Sequence, residues 1–303
     1  MQSTLDSTAS QISVHSLSQL WIGDSGLWFS AITASEDYEI HHLSDTGVLI
    51  SWDINPLEGS IPESLISKSG NNMVIADDGI NGRQLFKLEM DGTHSRLTNL
   101  VLQSNGAPTT NVGEKMGLSI LGDVILFDAQ TSGVDTTLWS HNLSSGISQE
   151  LSANILAPGE RSGVVISQDK IWFDCVTPST ANELCFSDGT ISGSKLVFEF
   201  QPGISSSDIR DIKFHEQHIL IIVDGEYNGD DLGYCLWALD IETLQAEPVY
   251  DPWSGVGNNS QSGTYGEIID TEDVVFFIAN NGLTGHEIHT WSPHEIGSEW
   301  LIW

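Results

Sequence analysis

Short apolar runs recur along the whole chain, separated by polar stretches rich in Gly, Asp, Asn and Ser. Three of these runs, residues 124–127, 219–223 and 274–278, are unbroken rather than alternating. A strand with one solvated face alternates apolar and polar residues, whereas an unbroken run is typical of a strand covered on both faces. The pattern therefore predicts strands that lie between two neighbouring layers.

A second pattern, a strand followed by a tight turn and a return strand, is clearest at residues 183–194. Asp188-Gly189 between apolar segments is a strong hairpin signal, because Gly accepts the positive φ that such turns require. Weaker copies recur with a period of roughly 50 residues, which is typical of propeller blades. The predicted fold is all-β, a six-bladed β-propeller of four-stranded antiparallel blades. The copies lie at residues 38–47, 83–93, 137–146, 234–243 and 286–293.

Link lengths predict where binding takes place. With the strands of each blade named A to D, the A-to-B links are short and the D-to-A links are long. Alternating strand direction places the D-to-A and B-to-C loops on one face, where ligand contacts are expected. We take A as the innermost strand; if B is innermost, residues 12–17 complete the last blade instead. A polar extension, residues 1–11, precedes a single propeller domain, 12–303, with blades at 12–54, 63–100, 116–153, 163–200, 209–250 and 266–303.

The segments 76–86 and 183–194 resemble the ELWxSDGT repeat, also called hyalin-like, of secreted and surface proteins of bacteria and archaea. The period of the repeat extends over nearly the whole chain, but the consensus sequence is well kept only in blades two, four and six. Cys185 and His289 stand where the motif has Trp. The resemblance implies an extracellular propeller and transfers no catalytic residues.

Composition restricts the partners. Lys and Arg number 10 against 42 Asp and Glu, a formal net charge of −32 at pH 7. So few cations cannot neutralise a phosphate backbone or an anionic membrane, which excludes nucleic acid and membrane surfaces. No apolar run is long enough to insert into a bilayer. We expect a monomer with a protein or carbohydrate ligand, extracellular or at the cell surface. A cytoplasmic location stays open, because the N-terminal residues lack a signal-peptide pattern.

Three cysteines are too few for a disulfide scaffold. Cys175 and Cys185 lie on adjacent predicted strands, so a bridge and two buried free thiols are both open. No partner is evident for Cys235.

The most specific local chemistry is the predicted loop of residues 224–231. Oxygen-bearing side chains at alternate positions followed by Gly resemble the opening of a calcium loop, although Leu232 and Cys235 stand where further ligands would help. The alternative is an acidic turn without an ion. The predicted calcium ligands are Asp224, Glu226, Asn228, Asp230 and Asp231, with a weaker group of Asp77, Asp78 and Asn81.

Signatures of catalysis are missing: the chain has no nucleophile elbow, no paired-histidine zinc motif and no arginine cluster. His41 and His289 occupy the Trp position of blades one and six, either as packed aromatic substitutes or as a pair sharing a metal or a proton. His215 and His218 flank a short hairpin and are expected to be exposed. We predict a protein- or glycan-binding module; the alternative is a hydrolase or lyase acting on a polysaccharide or a lactone with a divalent metal in the central channel.

Overall fold

Antiparallel strands account for the regular structure of the chain. The structure is a computed structural model that describes residues 16–32, 38–109, 111–132, 135–160, 162–251, 263–271, 273–280 and 283–293. These residues form 23 β-strands, and no helix lies among them, so the all-β prediction is confirmed. None of the described elements is therefore a helix that could cross a membrane. The chain divides into two units, Met1–Glu150 and Leu151–Trp303.

The first unit contains two complete four-stranded meanders and a third that continues past its end. Within each meander the strands pair in chain order. The first consists of β1 Ser16–Gly23, β2 Gly26–Ile32, β3 Tyr38–Ser44 and β4 Leu49–Trp52; the second of β5 Ser64–Lys68, β6 Asn71–Asp77, β7 Arg83–Leu88 and β8 His94–Arg96; the third of β9 Leu118–Leu121, β10 Val124–Ala129, β11 Thr137–Asn142 and β12 Ile147–Leu156.

The second unit repeats the pattern. Two single residue pairs also join strands of different meanders. Leu156, at the end of β12, pairs with Val176 of the next meander, and Tyr234 pairs in parallel with Gly263. Its strands are β13 Val164–Ser167, β14 Lys170–Thr177, β15 Thr180–Ser187, β16 Ser194–Phe198, β17 Asp211–His215, β18 His218–Tyr227, β19 Asp230–Asp240, β20 Ala246–Tyr250, β21 Gly263–Asp270, β22 Val275–Asn280 and β23 His286–Trp291.

One predicted end strand differs from the structure, and the other is not tested by it. The first was expected at residues 12–17, whereas β1 begins at Ser16 and continues to Gly23. The end of the predicted sixth blade, residues 294–303, lies outside the described residues, as do residues 1–11. The number of six blades stays a prediction.

The second strand of each meander forms the core, as the unbroken apolar runs predict. In β18, residues Ile219 to Val223 are all fully buried. Side chains of this strand alternate between two apolar clusters: Ile219, Ile221 and Val223 pack in one, and Leu220 and Ile222 in the other. Burial on both faces is therefore confirmed for β18.

Strand β22 departs from this prediction. Val275, Phe277 and Ala279 are buried, whereas Phe276 and Ile278 are 37% and 41% exposed. In the described part of the chain no sheet covers the second face of β22. An unbroken apolar run identifies a strand suited to two neighbours but does not itself supply the second neighbour.

Of the two alternatives for Cys175 and Cys185, the structure has the disulfide bridge. Cys175 of β14 and Cys185 of β15 are bonded, with a Cα–Cα distance of 5.9 Å, and both are fully buried. Cys235 is a free, buried thiol. Burial raises the pKa of Cys235 strongly, so the thiol stays protonated and unreactive at neutral pH.

Candidate functional site

The long D-to-A loops and the B-to-C turns leave each sheet at the same edge, which we call the loop edge. Backbone hydrogen bonds join these segments to each other. Asp77 N–H donates to Ser60 O at 2.8 Å, and Arg83 N–H donates to Thr109 O at 3.0 Å. The loop edge is therefore held in place before any ligand arrives. Its described part in the first unit includes residues 53–63, 78–82, 97–109, 111–117, 130–132 and 135–136.

A buried carboxylate fixes the first long loop from below. Glu39 of β3 is 1% exposed and accepts hydrogen bonds from Ile54 N–H and from both N–H and hydroxyl of Ser60. Burial raises the pKa of Glu39 to about 7, although these hydrogen bonds act in the opposite direction. The side chain thus joins the start and the end of the loop.

The same position of the repeat acts in the same way in two other blades. Glu183 of β15 accepts from Phe200 N–H at 2.7 Å and from Gln201 N–H at 3.2 Å, and burial raises its pKa to about 7. In the second blade the residue is Gln84, whose amide donates to Leu100 O at 2.8 Å and accepts from Leu100 N–H at 2.9 Å. The local sequence does not reveal this role of the first residue of the motif, because its partners lie 15 to 21 residues away.

An open depression of about 380 Å³ lies at the loop edge of the first unit. Three aliphatic side chains point into solvent at or beside it: Leu57, Ile61 and Ile80 are 84%, 53% and 76% exposed. Beneath them the fit is tight, since a Cβ at Gly79 would lie 2.6 Å from Asn55 Oδ1. We call this the loop depression; it is lined by Asn55, Glu58, Gly59, Ile61, Asp77, Gly79, Ile80, Gly82 and Pro108.

The surroundings of the loop depression are acidic. Glu58 and Asp77 line it, and neither forms a salt bridge within the described residues. The nearby cations are already engaged: Arg83 pairs with Glu63 at 2.6 Å, and Arg96 pairs with Asp78 at 3.2 Å. The depression therefore combines apolar side chains with uncompensated negative charge.

In the weaker predicted calcium group, next to the depression, both carboxylates accept hydrogen bonds from their own turn. Asp78 accepts from Ile80 N–H, Asn81 N–H, the Asn81 amide and Arg96, while Asp77 accepts from Gly79 N–H. Burial raises the pKa of Asp78, but hydrogen bonds from Asn81 and Ile80 and the Arg96 charge outweigh burial and hold it below its ordinary value.

The main predicted calcium segment lies on a hairpin rather than on an open loop. Strands β18 and β19 extend to Tyr227 and Asp230, which pair across a turn formed by Asn228 and Gly229. Both turn residues have positive φ, 55° and 88°. The prediction of an open loop there is wrong, because Asn-Gly provides a tight hairpin turn.

The ligand set is only partly brought together. Asp224 is half-buried, and its pKa is raised by burial and by the charges of Asp231 and Asp208. Glu226, Asn228 and Asp230 are exposed on the hairpin. Among the described residues, no three His, Cys, Asp or Glu side chains are grouped so as to hold a metal. Calcium binding stays a prediction.

The residues near Asp224 include three that the sequence does not connect with it: Asp208, Arg210 and Tyr234. The Tyr234 hydroxyl donates to Asp208, and the Arg210 guanidinium lies 3.4 Å from the centre of the Tyr234 ring. Burial and the Asp208 hydrogen bond raise the pKa of Tyr234 to about 12. Asp208 and Arg210 come from the D-to-A loop and Tyr234 from the third strand, so no local sequence signal connects them.

The two histidines at the Trp position pack as aromatic side chains. His41 lies 5.2 Å from the Phe29 ring and is hydrogen-bonded to Ser51. His289 lies 4.8 Å from the Tyr250 ring, and burial lowers its pKa. Each histidine thus fills an aromatic site in its own unit.

His215 was expected to be exposed, and that expectation is wrong. It is 3% exposed, and its Nδ1 lies 2.6 Å from Asp270 Oδ1. His218, its cross-strand partner, is half-buried, and both imidazoles contact the edge or face of Trp291. The packing of β21 and β23 against the hairpin, which the local sequence does not reveal, buries the pair.

Comparisons with known proteins show likeness of fold. No family model matches the chain, and a search of curated proteins finds no match. A solved structure from a study of two prolyl endopeptidases is 12% identical and covers 94% of this chain and 42% of its own, with a TM-score of 0.54. The β-propeller domain of the Trilobed protease from Pyrococcus furiosus is 11% identical and covers 92% and 82%, with a TM-score of 0.47.

Other similar structures include a puromycin hydrolase mutant, 13% identical over 96% of this chain and 54% of its own, with a TM-score of 0.43. The chain spans a little over half the length of the first solved structures it matches, 54% and 58% of theirs. Identities this low indicate a shared fold and carry no activity across.

Proposed function

We propose that the chain is a secreted or cell-surface binding module, a six-bladed β-propeller whose loop edge contacts a protein or a glycan. The observation that supports this function best is the loop depression, where Ile61 and Ile80 are exposed and the backbone is held by hydrogen bonds between the loops. The exposed side chain of Leu57 is next in sequence to the lining residue Glu58. Exposed apolar side chains grouped in one place are typical of interaction sites. A surface ordered in advance binds without a large entropic penalty for ordering loops.

An extracellular setting is consistent with the covalent chemistry. The Cys175–Cys185 bond is of the kind that persists in oxidising compartments. A net charge of −32 keeps the chain soluble and disfavours association with other acidic molecules. The resemblance to surface-protein repeats supports the same location.

We also propose calcium as a stabilising ion near Asp224, because burial and then the neighbouring charges of Asp231 and Asp208 raise its pKa and disfavour its ionised form. A hard cation bound there would offset this repulsion, and carboxylates are the ligands calcium prefers.

Closure of the propeller into a ring would explain why three apolar side chains are exposed to solvent in the described part of the chain. Phe276 and Ile278 of β22 and Ile288 of β23 are 37%, 41% and 71% exposed. A closed propeller has no free blade face, so these side chains would be covered by a neighbouring blade.

The loop-edge function is tested with substitutions at both edges of the sheets. We would screen the purified chain against a glycan array and a phage-displayed random peptide library. We would then measure how each ligand binds to Leu57→Ser and Ile204→Ser at the loop edge. Matched controls are Val48→Ser and Ile191→Ser, in turns at the opposite edge and 56% and 61% exposed.

We expect binding to weaken in at least one loop-edge variant and to persist in both controls. Ligands lost only in the controls, or the absence of any ligand in both screens, would contradict the proposed function.

A further inference from the structure

Ile61 has a backbone conformation that its side chain disfavours. Its φ is +48°, in the left-handed region, which is a genuine outlier for a β-branched residue. It also precedes Pro62, and a residue before proline is restricted to extended conformations. The side chain is 53% exposed, so burial of its apolar surface does not repay this strain in full.

The second unit shows that the fold does not require isoleucine at this position. There Asp208 occupies the equivalent site, with a φ of +45°. The equivalence follows from the backbone: Ser60 O accepts from Asp77 N–H, and Ser207 O accepts from Asp224 N–H. Asp tolerates left-handed φ better than Ile, and Asp208 also bonds to a neighbouring side chain.

Resting on the binding function proposed above, we propose that Ile61 is an anchor contact for a protein partner. The partner segment would carry an apolar side chain next to Lys or Arg. Strain that neither the local backbone nor burial explains is typical of functional positions. The apolar side chain of the partner would lie against Ile61 and Ile80.

The charge around the loop depression indicates which residues should flank the apolar residue of the partner. Glu58 and Asp77 line the depression without salt bridges in the described part, while the nearby Arg83 and Arg96 are already paired. A cationic segment would therefore gain both attraction and faster encounter on a chain with a net charge of −32.

The lining also favours a protein over a glycan. Besides Asn55 and the two carboxylates, its described lining consists of aliphatic side chains, Pro108 and glycines, with no aromatic ring on which a sugar could stack. A glycan ligand is therefore an outcome of the test rather than part of the proposal.

The decisive variant is Ile61→Asn, because it separates a binding role from a packing role. Asn adopts the left-handed conformation at a lower energy than Ile, so relief of backbone strain should raise the melting temperature by about 2–4 °C. The same change should weaken binding of the peptide selected from the random library by about tenfold or more, as expected for an anchor residue. The matched control is Ile191→Asn, which lies in a turn at the opposite edge and is similarly exposed. It should change neither quantity.

The probe is the peptide most enriched on the unmodified chain, synthesised and measured by fluorescence anisotropy at about 50 mM and about 500 mM NaCl. We expect an aliphatic or aromatic residue beside Lys or Arg, and weaker binding at the higher salt concentration.

Three outcomes would overturn the anchor. Ile61→Asn could lower both melting temperature and affinity, which would make Ile61 a packing residue. The selected peptides could bind equally well to Ile61→Asn. Finally, Ile61→Asn could abolish binding of a glycan from the array while no peptide is enriched. The last two results leave the broader loop-edge function intact if a loop-edge variant still loses its ligand.

Discussion

The buried glutamates beneath the loops predict an unusual dependence of stability on pH. Glu39 and Glu183 have pKa values raised from 4.5 to about 7 by burial. In both cases the folded state binds a proton more tightly than the unfolded state. Their contribution to the free energy of unfolding is therefore fully present below about pH 4.5 and is lost as pH rises through about 7. Each pKa unit corresponds to 1.36 kcal/mol, so each group accounts for about 3 kcal/mol across that window.

Asp128 adds to the effect at lower pH. It is fully buried, and burial raises its pKa from 3.8 to about 6, although N–H groups of Lys115 and Met116 donate to it. Its stabilising contribution is present below about pH 3.8 and disappears as pH rises through about 6. The three carboxyl groups together make the folded chain more stable in acidic solution than at neutral pH.

General charge repulsion acts in the same direction, since acid also lowers the net negative charge. The test therefore compares the parent chain with the double variant Glu39→Gln and Glu183→Gln, which has no ionisable group at either site. Gln84 shows that an amide is accepted at this position of the repeat. The control is Glu242→Gln with Asp169→Asn, which removes equal charge from exposed positions.

The assay is urea denaturation followed by tryptophan fluorescence between pH 4.5 and 8 at constant ionic strength. We expect the parent and the exposed control to lose several kcal/mol more than the glutamine variant over this range. Parallel curves for all three proteins would show that Glu39 and Glu183 are not protonated in the folded state, which would refute this prediction.

Three further predictions concern a turn, the disulfide and calcium. Gly193→Ala should cost about 1–3 kcal/mol in urea denaturation, because its Cβ would lie 2.0 Å from the Asp188 carboxylate; an unchanged midpoint would mean that the turn adapts freely. Replacing Cys175 and Cys185 by Ser should cost about 2–3 kcal/mol, and a reducing agent should destabilise the parent but not the variant; equal sensitivity would contradict the assigned bond. Calcium should raise the melting temperature more than magnesium at matched ionic strength, and Asp224→Asn should abolish the difference; identical effects of both ions on the parent would exclude a specific site.

The sequence was most informative where apolar residues are continuous. The unbroken run 124–127 begins strand β10, Val124–Ala129, and the repeat copy at 137–146 begins with strand β11, Thr137–Asn142. A continuous apolar run followed by turn residues leaves little choice of where the strand lies. The positive φ of Gly189, 86°, also agrees with the predicted turn. Local signals of this kind depend on a few neighbouring residues.

Oxygen-bearing side chains at alternate positions were ambiguous. In residues 224–231 the same pattern fits the start of a calcium loop and the end of a hairpin, and Asn228-Gly229 decides for the hairpin. Contacts between distant segments were not predictable at all. Glu39 bonds to Ser60, and Arg210 stacks on Tyr234, through loops whose path depends on packing between blades.

Comparison of the copies with each other recovers part of what a single copy conceals. The pair Glu63 and Arg83 in the second blade corresponds to Arg210 and Tyr234 in the fifth. The cation therefore comes from the third strand in one copy and from the D-to-A loop in the other. Such exchanges keep a contact while changing its charge, and they are compatible with a purely structural role. The exchange at Ile61 is different, because it places a β-branched residue in a conformation for which the other copy has Asp. At equivalent backbone positions, two residues can differ in the conformational energy of their side chains at that φ. The fold does not explain the presence of the residue with the higher energy when that residue is also the more exposed one. By that criterion the loop edge of the first unit, rather than the acidic hairpin of the fifth blade, is the first place to look for a partner.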